Sequence, residues 1–227
     1  MKNVVDLSLP IFTGMPAVPG SDRFVVVKHT MTFDSKYNRT TSSLSLHSQL
    51  CSTHIDAPIH VVPNGYGIDR YSLTEQLIGP AHVLDLQHVP PGHRVSVSDL
   101  EDAVKRSGKP LRPGCMLAIN TGWTDRAWGK PEFFEQMITL EAPSVGQWIV
   151  EKAPRALMTD SYNDSWEKFF DHDWALNHFP LLSRGIPLIE FCTNLSAMKE
   201  GDWEVYALPL KILDCDGSPS RVIAVQQ

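Results

Sequence analysis

The pattern of apolar and polar positions divides this chain near residue 80. Before that point short alternating runs dominate; after it, strands interleave with helical segments. "VVDLSL" (4–9) alternates as a strand does, and "PIFTGMPAVPG" then turns. "FVVVKHT" (24–30) reads as a second strand. The stretch "TTSSLSLHSQLCSTHID" alternates most clearly. It puts Leu44, Leu46 and Leu50 on its even face and Ser43, Ser45, His47 and Gln49 on its odd face.

Beyond residue 80, "AHVLDL" (81–86), "CMLAIN" (115–120) and "RALMTD" (155–160) read as strands, the last two fully buried. "SDLEDAVKRSG" (98–108) has a Ser cap, an acidic first turn, basic residues late and a terminal Gly, which predict a helix. "SVGQWIVEK" (144–152) predicts another. "WALNHFPLLSRG" (174–185) predicts a third ending near Gly185, with Pro180 as its weak point. "IPLIEF" (186–191), "EVYALPLKIL" (204–213) and "RVIAVQ" (221–226) are expected strands. No repeat, low-complexity tract, charge block or linker interrupts the series. The expectation is a single mixed α/β domain over residues 1–227 with a β-rich N-terminal half.

Composition changes this picture little. The chain of 227 residues is 42% hydrophobic and 20% charged, ordinary values for a globular protein. Its formal net charge of -6 argues against nucleic acid as a partner, because phosphate binding wants a basic face. No apolar run is long enough to span a bilayer, and the start lacks the long apolar stretch of a secretory signal. Cys51, Cys115, Cys192 and Cys215 form no CxxC pair, so a thiolate zinc site is not expected. A cytoplasmic location is.

The chemistry concentrates in "CSTHIDAPIH" (51–60). If a strand runs through 50–56, His54 and Asp56 share one face with Cα atoms roughly 6–7 Å apart. An imidazole and a carboxylate so placed can converge on one divalent ion such as Zn or Mn. Pro58 ends regular pairing, and His60 follows on a turn where it can act as general acid or base. Spacing alone equally allows a packing His54, a turn-forming Asp56 and a solvated His60.

The segment "STHIDAPIH" resembles the HxGTHxDxPxH signature of the metal-dependent cyclase/hydrolase family, which includes bacterial kynurenine formamidases and isatin hydrolases. The resemblance runs in order along nearly the whole chain: "DLSLPIFTGMPAVPG", "NGYGIDRYSLTEQLIGPAHVLDL", "LAINTGW", "NHFPLLSRGIPLIEFCTNL" and "VYALPLKILDCDGSPSRVIAV". It implies the family's swivelling β/β/α fold. It implies metal ligation by His54, Asp56, His178 and Glu190, catalysis by His60, and assembly as a homodimer or higher homo-oligomer. Glu190 fits that role physically, since a carboxylate inside the apolar "IPLIEF" is costly unless a metal or a donor meets it. An ordinary hydrogen bond for Glu190 and a capping role for His178 are the bland alternatives.

Two departures stand out. Leu50 replaces the first signature histidine and Ser52 the glycine. Leucine cannot ligate, and His47 would need a bulge to turn it to the same face. The remaining donors suffice for one ion rather than two. Trp123 and Phe169 are candidates to bracket a flat substrate; "TDSYND" (159–164) could line the pocket with Asp160 or Asp164, although the turn reading is preferred. The implied activity is metal-dependent hydrolysis of a small amide, lactam or lactone, acting on non-peptide C–N bonds in the amide case, with His60 as proton shuttle. The alternatives are a metal-independent cyclase, dehydratase or lyase using His60, His54 and Glu190, and a non-catalytic ligand-binding relative.

Overall fold

A computed structural model of the protein describes residues 3–17, 24–32, 38–45, 47, 52–166 and 175–227. The N-terminal part supplies β1 (Val4–Asp6), a hairpin of β2 (Val25–Thr32) and β3 (Asn38–Ser45), and β4 (His54–Asp56). Then come β5 (Ile78–Asp85), β6 (Arg94–Val95), α1 (Val97–Ser107), β7 (Met116–Asn120) and α2 (Trp123–Ala127). The series continues with α3 (Glu132–Glu135), β8 (Thr139–Leu140), α4 (Ser144–Lys152) and β9 (Ala156–Thr159). It ends with α5 (His178–Leu182), β10 (Leu188–Glu190), β11 (Trp203–Pro209) and β12 (Gly217–Gln226).

The main sheet runs β1-β12-β11-β5-β7-β9-β10-β4. β4 returns to β12 through Gly217↔Asp56, Ser218↔Ile55 and Pro219↔His54, so seven strands close into a barrel-like ring. β5, β7, β9 and β10 are parallel neighbours, and the remaining pairs are antiparallel. Parallel strands covered on both sides should be apolar throughout, and every residue of β7 and β9 is buried.

Alternation sorts the buried residues of the main sheet onto two faces. Ile55, Met116, Ala118, Met158, Ile189, Val205 and Val222 fill the inside of the ring. Leu117, Ile119, Leu157 and Leu188 face outward, where Leu100 of α1, Ile149 of α4 and Leu181 of α5 pack on them. Because the period is two, His54 and Asp56 flank the inward Ile55, and Glu190 lies on the same side of β10 as the outward Leu188. The site residues therefore stand between the sheet and its helical layer.

Most expected elements are present, and the differences have local causes. The long alternating run does not form one strand: β3 ends at Ser45 and β4 starts at His54, while Leu46 and residues 48–51 lie outside the described residues. Its alternation does not mark a buried face either. Among the described residues β2 and β3 pair only with each other, and Val25, Val27, Met31 and Leu44 are exposed. The helix expected from residue 98 starts one residue earlier and is capped by Ser96. The Ser96 hydroxyl accepts from the Asp99 N–H, and the Asp99 carboxylate accepts from the Ser96 N–H at 2.8 Å. The helix expected over 174–185 shrinks to α5; Pro180 is tolerated because it falls in the first turn, where N–H groups have no helical partner. Among the described residues, no helix is long and apolar enough to cross a membrane.

Candidate metal centre and active site

β4 is short because its neighbours hold it at both ends. The Thr53 hydroxyl donates to the Phe191 carbonyl at 2.8 Å and accepts the Leu9 N–H at 2.8 Å. The Tyr71 hydroxyl donates to the Asp56 carbonyl at 3.0 Å. Between these anchors β4 pairs with β10 in the register Glu190↔His54 and Leu188↔Asp56. Two stretches far apart in sequence thereby deliver an imidazole and two carboxylates to one place.

His54, Asp56, His178 and Glu190 are all buried. His54 Nε2 lies 3.4 Å from Asp56 Oδ1 and 3.6 Å from Glu190 Oε2. His178 Nε2 lies 3.7 Å from Asp56 Oδ2 and 3.4 Å from Glu190 Oε1. The other ring nitrogen of each histidine is engaged behind the site. His54 Nδ1 is 2.8 Å from the Ser52 carbonyl, which can only accept, so Nδ1 carries the proton. His178 Nδ1 is 2.5 Å from Asp164 Oδ2.

This arrangement fits a divalent cation. With a proton on Nδ1 held by the Ser52 carbonyl, His54 turns Nε2 to the carboxylate oxygens. Among the described residues, Asp56 Oδ1 and Glu190 Oε1 are buried with no hydrogen bond within normal distance, which costs free energy unless a positive charge compensates. Tetrahedral N and O ligands bound at about 2.1 Å sit roughly 3.4 Å apart, close to the spacings found. Among the described residues, two sets of three donors have all their ligand atoms within 4.8 Å of one another: His54, Asp56 and Glu190, and Asp56, His60 and His178. Asp56 belongs to both.

His60 occupies a single 3-10 turn over Pro58–His60. Gly65 makes that turn possible, because a Cβ there would come within 2.6 Å of the Ile59 nitrogen. The His60 side chain is 11% exposed, against 3% for His54 and 2% for His178. Its Nδ1 faces Asp216 Oδ2 at 3.9 Å. Burial pushes the His60 imidazole below its ordinary 6.5 despite the pull of Asp56 and Asp216. For Asp56, burial alone would raise the carboxyl, but His54, His178 and His60 outweigh it and hold it at about 2. Burial would lower His178, yet Asp164, Asp56 and Glu190 raise it well above 6.5 in the metal-free protein.

The structure thus gathers five of the seven sequence candidates: His54, Asp56, His60, His178 and Glu190. Trp123 is instead a core residue, 2% exposed, stacked on Phe133, with its indole N–H donating to the Phe133 carbonyl. Phe169 and Leu50 lie outside the described residues. Asp164, expected in a turn, is buried directly behind His178. The pocket reading of "TDSYND" did not include this pairing, which depends on where α5 docks. Phe191 was also unforeseen: its ring centroid lies 5.9 Å from that of His54.

Comparison with known proteins adds three findings. The Cyclase family model, described as "Putative cyclase", matches residues 5–164. A kynurenine formamidase of Bacillus cereus is 28% identical over 222 residues, covering 96% of this chain and 95% of that protein. One from Bordetella petrii is 26% identical over 231 residues, covering 98% of each chain. Among solved structures, isatin hydrolase A from Ralstonia solanacearum superposes with a TM-score of 0.78 at 19% identity, over 100% of this chain and 92% of that one. At that identity the structural match speaks for the fold, a single mixed α/β domain.

Proposed function

The chain belongs to the cyclase family, and from that premise we propose that it is a metal-dependent hydrolase of a small amide, lactam or lactone. The observation that carries this reading is the convergence at His54: Nε2, aimed inward because the Ser52 carbonyl holds Nδ1–H, lies 3.4 Å from Asp56 Oδ1 and 3.6 Å from Glu190 Oε2 in a buried cluster. The kynurenine formamidase and isatin hydrolase names of its relatives support hydrolysis of a C–N bond.

His54, Asp56, His178 and Glu190 would hold one Zn or Mn ion. Such an ion lowers the pKa of a water and polarises the substrate carbonyl. The protein's own residues supply the rest. Asp164 and the Ser52 carbonyl keep both Nε2 atoms aimed at the carboxylates. His60, neutral near pH 7, takes a proton from water and returns it to the leaving nitrogen or oxygen. Its position at the most exposed edge of the cluster suits a group that exchanges protons with substrate. The small-molecule reaction is assigned to the cytoplasm and to a homodimer or higher homo-oligomer. The exposed Val25, Val27, Met31 and Leu44 of the β2–β3 hairpin support self-association.

The test is a panel of aryl formamides, cyclic lactams and lactones, assayed with chelator-stripped protein and again after reloading with Zn²⁺ or Mn²⁺. Hydrolysis that appears only on reloading is expected. Undiminished activity after exhaustive chelation overturns the metal-dependent reading.

A further inference from the structure

Asp164 contributes nothing to the ring of donors, yet it is 1% exposed and accepts three N–H groups. Its Oδ1 takes the Asn177 backbone N–H at 2.8 Å. Its Oδ2 takes the His178 backbone N–H at 3.1 Å and the His178 ring at Nδ1, 2.5 Å away. We propose that Asp164 is the positioning residue of this centre: it fixes the rotation of the His178 ring and the proton on Nδ1, and thereby sets the affinity of the site for a divalent cation. The inference rests on the metal reading above.

An ionised carboxylate only accepts, so the ring nitrogen that faces it must carry a proton. The other nitrogen, Nε2, is then the one turned to Asp56 and Glu190. Asp164 also holds the backbone that carries the ring. Asn177 is sewn on both sides: its side chain donates to the Asn163 carbonyl at 2.7 Å and accepts the Gly146 N–H of α4 at 2.8 Å. A Cβ at residue 146 would come 2.7 Å from the Asn177 Oδ1. The start of α5 is therefore clamped between α4 and the 163–164 segment, and Asp164 is the point where that clamp reaches the ring.

Asparagine and alanine separate positioning from mere structure. An amide at 164 can turn its oxygen to the His178 N–H and Nδ1–H, but its NH₂ then opposes the Asn177 N–H. It keeps two of the three bonds and loses the charge. Alanine keeps none. Cation affinity of metal-free protein, measured by competition with a chromophoric chelator using Zn²⁺ and Mn²⁺ alone, should fall about tenfold for Asp164→Asn and toward 100-fold for Asp164→Ala, the span seen when such outer partners are lost. Thermal melting of the metal-free forms is recorded beside it. If both variants bind with wild-type affinity per folded molecule and only the melting temperature drops, Asp164 is structural and the proposal is overturned. If Asp164→Ala does not fold, Asp164→Asn decides alone: a tenfold loss supports the role and unchanged affinity overturns it. Wild-type protein that takes up neither ion overturns the metal reading, and this inference with it.

Discussion

Glu190 and His54 are direct cross-strand partners in the β10–β4 pair, and their side chains meet with Oε2 3.6 Å from Nε2. The pairing makes one strand register answerable for the site. A slip by one residue would turn Ile189 outward and send Glu190 into the apolar interior of the ring. The same register places Asp56 opposite Leu188, so the acid of β4 and the acid of β10 are offset and both can face the space before His54.

Glu190→Gln should therefore weaken cation binding by at least about tenfold, because one anionic donor is lost where the desolvated site most needs charge. The fold should survive. In the metal-free protein the change removes a buried charge, so its melting temperature should stay level or rise. Chelator competition and thermal melting on stripped protein measure the two effects. A drop in both together would make Glu190 a structural residue first.

His60→Ala is expected to abolish turnover and leave metal content unchanged. His60 stands within ligand distance of Asp56 and His178, so elemental analysis of the variant is the deciding measurement. Full metal content with no activity supports proton transfer, whereas loss of the ion reassigns His60 as a ligand. Burial holds the wild-type imidazole below 6.5. The acidic limb of the kcat/KM profile should then inflect below 6.5, with activity lost as pH falls through that point.

Much of this centre was legible in the sequence. The parity of His54 and Asp56 placed both on one face, and Glu190 announced itself as a carboxylate inside an apolar strand. Those signals are local, and period-two alternation carries them. Asp164 was not legible: it acts on His178 through the docking of α5 against α4. Trp123 was legible only as an aromatic following a core strand. An aromatic after a core strand has the same local pattern whether it lines a pocket or, as here, stacks on Phe133. The hairpin misled because alternation in "TTSSLSL" reports strand geometry, and an exposed ribbon satisfies it as well as a half-buried one.

Asp160 carries a stability prediction. Its buried carboxylate, at the end of β9, accepts the backbone N–H groups of Thr121, Gly122 and Trp123 at 2.9, 2.5 and 3.2 Å and the Thr121 hydroxyl at 2.7 Å. It thus satisfies the turn from β7 into α2. Asp160→Ala strands those donors in the core and should cost about 2–4 kcal/mol, read as a lowered denaturant midpoint. A cost below about 1 kcal/mol would mean that water replaces the carboxylate.

Leu50→His restores the first histidine of the signature to which residues 53–60 conform, leaving Ser52 as its remaining departure. Leu50 itself lies outside the described residues, so the expectation rests on the motif and on the donor count. His54, Asp56, His178 and Glu190 already offer four groups, enough for one ion. If the native site is a weakened one, the added imidazole should raise cation affinity by at least about tenfold, since each well-placed ligand contributes directly to binding. Chelator competition and metal stoichiometry, measured on wild type and variant side by side, separate the outcomes. Higher affinity at one ion per chain marks a depleted mononuclear site. A second equivalent of metal in the variant alone marks a dinuclear site that lost an ion with its histidine. Unchanged affinity and stoichiometry would show that the four described donors are sufficient and that Leu50 sits where a fifth is not needed.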